Sequence, residues 1–125
     1  MKKLVLSLAV VTVLSTLSLA APKGQTFTGE IMDSQCAAMG SHADMLKKEG
    51  MADKDPDDPM AKKMCTQGCV KMGGKYVLFD AASKAVYQLD DQTKPEKFAG
   101  ARVEVRGTLD KDTHTIHGTS IKAGS

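Results

Sequence analysis

The sequence predicts a mainly β (α+β) fold: a five-stranded barrel with a small helical insert after its first strand. Three observations lead there. The segments Thr26–Met32 and 101–109 alternate apolar and polar residues, as half-buried strands do. Tyr76-Val77-Leu78-Phe79 is a continuous apolar run, the mark of a strand covered on both faces. Between the first strand and that run, residues 36–73 carry helix caps and all three cysteines.

The chain begins with a basic pair, Lys2 and Lys3, followed by the apolar run Leu4 to Leu19 and the small-x-small stretch Ser18-Leu19-Ala20. This is a signal-peptide pattern over 1–20, with cleavage expected between Ala20 and Ala21. The run is shorter than the ~20 residues of a bilayer span, and no Cys follows the cut to take a lipid. A periplasmic or secreted protein is expected, with no stable membrane insertion after cleavage. Residues 21–25 read as a polar, flexible leader, and 26–125 as a single domain with the helical insert 36–73.

In the first strand Phe27, Gly29 and Ile31 share one face, Thr28 and Glu30 the other, and Gly29 suggests a bend or bulge. Ser41 to Gly50 holds the signals of a short helix: Ser41 as cap, Asp44 as its capping-box partner, Lys47 and Lys48 at the end, and Gly50 as the stop. The acidic linker 51–59 leads to a second helix, capped by Asp58, opened by Pro59 and stopped at Gly73. Ala61, Cys65, Gly68, Cys69 and Met72 fall on one stripe of that helix. After the apolar strand come a turn, the strand Ala85 to Leu89, a one-turn helix begun at 93–96, and the alternating strand with Ala101, Val103, Val105 and Leu109 inward. In the last strand, Thr113 to Ile121, Ile116 and Ile121 fall on opposite phases, so a bulge is expected near Gly118. With the insert set aside, this is the strand order of an OB-like barrel, with a helix between strands three and four.

Without Lys2 and Lys3, 15 basic residues face 15 acidic ones, so the domain has no field to draw in nucleic acid. Two Tyr, three Phe and no Trp are a poor supply for base stacking. No nucleic-acid partner is expected. Asp53, Asp55 and Asp57 imitate the start of a calcium loop, but Asp58 and Met64 stand where Gly and Glu are needed. No nucleophile elbow, phosphate loop or zinc-protease helix occurs, so the chain carries no catalytic motif.

The chemistry lies in the sulfur. Three cysteines are an odd number for an exported protein. Cys65 and Cys69 stand one helical turn apart, so both can face a third partner. One reading is a disulfide from Cys36 to Cys65 or Cys69, which would staple the insert to the first strand of an exported binding module. The leftover thiol would then permit a disulfide-linked homodimer. Another is a single soft-metal ion held by Cys36, His42, Cys65 and Cys69. Three thiolates and an imidazole suit Zn²⁺, whereas thiolates with the thioethers of Met39, Met64 and Met72 suit Cu(I). A thiol–disulfide redox protein is a third reading, opposed by the position of Cys65 and Cys69 late in their helix, where the dipole disfavours a thiolate. Met45, Met51, Met60 and Met64 form no M-x-x-M or M-x-M run, so most of them read as core filler. His114 and His117 lie on opposite faces of a regular strand and cannot chelate together.

The motifs Gly29-x-x-x-Asp33-x-x-Cys36, His42, Cys65-x-x-x-Cys69, Lys75-Tyr76-Val77-Leu78 and Val103-Glu104-Val105-Arg106-Gly107-Thr108-Leu109-Asp110 together resemble an uncharacterised family of small exported bacterial proteins. Its members have a G-x-I-x-D-x-x-C opening, a C-x-x-x-C-V-K-x-G-x-K-Y-V middle and a V-x-V-x-G-T-L-D ending. The Met- and Asp-rich insert between Cys36 and Cys65 departs from that pattern. The second half is also similar, more faintly, to bacterial periplasmic OB-fold proteins. Both resemblances imply an exported barrel, and neither implies a catalytic residue.

Overall fold

The computed structural model describes residues 24–125; the expected signal peptide, its cleavage site and most of the leader lie outside the described residues. The elements run β1 (Gln25–Asp33), α1 (Ser34–Met39), α2 (His42–Lys48), α3 (Pro59–Lys71), β2 (Tyr76–Asp80), β3 (Ala85–Leu89), a 3-10 helix (Lys94–Phe98), β4 (Arg102–Asp110) and β5 (Thr115–Ala123). The five strands close into a barrel in the order β1-β2-β3-β5-β4. Neighbours are antiparallel except β3 and β5, which pair in parallel through Gln88↔Thr115 and Leu89↔Ile116. This is the OB-like arrangement, mainly β, with three helices inserted after β1 and the 3-10 helix between β3 and β4.

The apolar run forms β2, and its two faces do different work. Tyr76 and Leu78 join Ile31, Val103, Val105 and Ile116 in the barrel interior. Val77 and Phe79 point the other way, into a cluster with Met32, Cys36, Ala37 and Met45. A strand with no polar face thus serves two cores, one inside the barrel and one beneath the helical insert. On β1, Gly29 is required by a close approach: a Cβ there would collide with the carbonyl oxygen of Phe79 on β2.

The bulge in β5 lies where it was expected. Arg106 pairs with Ser120 but Gly107 with Gly118, so β5 has one residue more than β4 across that step. Other details differ from expectation. Ala101 is exposed and precedes β4. His114 sits in the β4–β5 turn with φ +52°, so it is no part of β5. Helix α1 is an addition to the expected elements, made by a cap that the strand's last residue supplies.

Candidate metal centre

Three local structures bring the cysteines together. Asp33 ends β1 and caps α1: its Oδ2 accepts the amide N–H of Gln35 at 2.9 Å and of Cys36 at 3.1 Å. The turn carries Cys36 under the insert, where only 2% of it is exposed. Asp58 caps α3 by accepting the Met60 N–H at 3.0 Å, and Pro59 opens the helix. The covered residues of α3 are Lys62, Cys65, Thr66, Gln67, Gly68, Cys69 and Val70. This face is rotated from the expected stripe, because Val70 packs on the barrel core and Lys62 reaches Glu30 on β1. Ala61 and Met72 therefore face solvent, while Cys65 and Cys69 remain turned inward.

The Sγ atoms of Cys36, Cys65 and Cys69 all lie within 4.8 Å of one another. All three are free thiols. The staple from Cys36 to Cys65 or Cys69 is therefore not formed in this structure. Helical spacing explains the geometry: two sulfurs one turn apart converge on Cys36 as a trio instead of one of them closing on it as a pair.

The trio sits in anionic, low-dielectric surroundings. Burial, first, and then the Asp33 carboxylate and the two neighbouring thiols push the Cys36 thiol far above its usual range. Cys69 is also raised, by burial and then by the charges of Asp33 and Cys65. Asp33 is itself fully buried, and its Oδ1 has no hydrogen-bond partner. A buried carboxylate oxygen with no aligned hydrogen bond, its charge felt by the Cys36 and Cys69 thiols, is a polar group that a bound cation would compensate.

His42 is placed elsewhere. It opens α2 behind a full capping box, with Asp44 N–H donating to Ser41 Oγ at 3.2 Å and Ser41 N–H donating to Asp44 Oδ2 at 3.1 Å. The ring is buried, and its Nδ1 stands 2.8 Å from Glu30 Oε1. Lys62 Nζ donates to Glu30 Oε2 at 3.1 Å. Burial pushes the Glu30 carboxyl up, but His42 and Lys62 together outweigh it and hold the pKa below the usual range. The group of three sulfurs thus does not include His42. Among the thioethers, Met39 packs against the cysteine cluster and Met45 is buried in it, whereas Met51, Met60, Met64 and Met72 are exposed, so of the four expected core fillers only Met45 is in the core.

Sequence reasoning missed two residues here. Asp33 reads only as part of a motif in the sequence, although Asp at the end of a strand is a favoured N-cap residue for a helix that follows. Glu30 was assigned to the polar face of β1, which is correct for the strand, but the insert covers that face. His117, outside the centre, has its Nδ1 3.1 Å from Asp90 Oδ2.

No curated protein and no solved structure matches this chain. Residues 67–123, from the second half of α3 through β5, are similar to a family described as a protein of unknown function (DUF5818), a match that includes Cys69 but neither Cys36 nor Cys65.

Proposed function

We propose that this protein is an exported, non-enzymatic module that binds one soft metal ion through Cys36, Cys65 and Cys69. The convergence of three unbonded sulfurs within 4.8 Å carries the reading. Three thiolates without a fourth donor suit trigonal Cu(I) better than Zn²⁺, which takes four ligands in structural sites. The buried, unpartnered oxygen of Asp33 supports a cation at this place. A second reading is the staple, with Cys36 bonded to Cys65 or Cys69. The closeness of the sulfurs favours it too, since Cys36 stands within 4.8 Å of both partners, and the third thiol would then be free to link a second copy.

The test is mature protein exported to an oxidising compartment and purified without chelator. Its intact native mass, bound metal and free thiols before and after denaturation would be measured together. One metal per chain, with three thiols titrating only after denaturation, supports the metal centre, and copper or zinc names the ion. No metal, a mass two hydrogens short and one titratable thiol overturn it in favour of the staple.

A further inference from the structure

A cavity of about 320 Å³ opens between α2, the acidic linker and the first half of α3. Its walls include His42, Met45, Leu46, Met51, Ala61 and Cys65. Four of its eleven lining residues carry soft or borderline donors: an imidazole, two thioethers and a thiol. The His42 ring is 6% exposed, and its Nε2 is buried without a partner. Nδ1 meets the Glu30 carboxylate, which is anchored on its other oxygen by Lys62. A carboxylate at one ring nitrogen is the usual support of a metal-ligating histidine: it favours the proton on that nitrogen and leaves the other lone pair free. Cys65 belongs both to this cavity and to the sulfur trio, so the two places share a wall.

We propose that this cavity is a second Cu(I) position, held by His42 Nε2 and the thioethers of Met45 and Met51, from which the ion passes through Cys65 to the three-cysteine centre. The inference rests on the proposed metal centre and adds to it the identity of the ion and its route. Thioethers coordinate Cu(I) well and Zn²⁺ poorly, so this donor set selects for copper. Imidazole and thioether are neutral, whereas the centre offers thiolates, so the first position is the weaker one and the ion moves inward. Transfer is ligand exchange without redox change. The bonds to His42, Met45 and Met51 break as bonds to Cys36 and Cys69 form, Cys65 bridges the step, and the thiol protons leave to solvent.

The test uses reduced, mature, full-length protein titrated anaerobically with Cu(I) against a chromophoric Cu(I) chelator. Wild type is expected to take two equivalents, the second at least tenfold weaker. Met45→Leu/Met51→Leu conserves volume; it should keep the tight equivalent, lose the weak one and load more slowly. Cys36→Ser/Cys69→Ser should keep one weak equivalent, shift the His42 Nε2 resonance on binding it, and lose it when the two Met→Leu changes are added. If Cys36→Ser/Cys69→Ser binds nothing while wild type binds one ion, the second position is overturned and the centre stands. If wild type binds no Cu(I), both are overturned.

Discussion

Gly100 lies against the backbone of Lys62: a Cβ on this glycine would stand 2.6 Å from the Lys62 carbonyl carbon and from the Lys63 nitrogen. The Gly100 N–H also donates to Ile31 O on β1 at 2.8 Å. One glycine, at φ +74°, therefore sets how closely the cysteine-bearing helix approaches the barrel. Gly100→Ala should cost about 1–3 kcal/mol of stability through overpacking and a strained φ. It should also weaken metal binding, because α3 carries Cys65 and Cys69 away from Cys36. Denaturant unfolding and chelator competition on the same variant check both, and an unchanged metal affinity would show that α3 tolerates the displacement.

Cys36 is the most enclosed of the three sulfurs, and its thiol is raised by burial and by Asp33. In reduced, metal-free protein, iodoacetamide should modify Cys65 and Cys69 well before Cys36. Peptide mass mapping over time reads the order. Early labelling of Cys36 would mean that the insert opens readily.

Asp33 caps α1 through two backbone N–H groups. Asp33→Ala should lower stability by about 1 kcal/mol, the common cost of losing a helix cap. Asp33→Asn keeps an acceptor for those N–H groups and should recover much of the loss. Equal losses in the two variants would argue that the charge of Asp33, and not its cap, matters in the metal-free protein.

Asp91 organises the start of the 3-10 helix. Its Oδ1 accepts from the Thr93 hydroxyl at 2.7 Å and from the N–H groups of Thr93 and Lys94. These bonds, the Thr93 hydroxyl first, lower its pKa from 3.8 to about 2. The folded state therefore holds this proton less tightly than the unfolded chain. The associated stability is fully present above 3.8 and is lost as pH falls toward about 2. Unfolding midpoints measured across that window should fall less steeply in Asp91→Asn than in wild type. A parallel fall would remove Asp91 from the acid response.

The covered face of α3 shows where sequence periodicity stops. Cys65 and Cys69 were assigned correctly to one inward stripe, because one-turn spacing is a property of any helix. Ala61 and Met72 were not, because the ion pair of Lys62 with Glu30 and the packing of Val70 choose the helix rotation. Small residues and sulfur give α3 a weak amphipathic signal, and partners distant in sequence settled it. In the same way Glu30 reads as a surface residue until α2 and α3 are laid over β1.

By itself the sequence determined the strand order, the caps at Ser41 and Asp58, the bulge near Gly118 and the two-faced burial of β2. These follow from local periodicity and turn chemistry, which each segment carries alone. Only the tertiary structure decided that Cys36, Cys65 and Cys69 converge as three free thiols, that Asp33 keeps a buried oxygen with no aligned hydrogen bond, and that His42 turns to Glu30 instead of joining them. Those outcomes depend on how α2 and α3 settle on the barrel, a matter of contacts between segments far apart in the chain, and no local pattern encodes them.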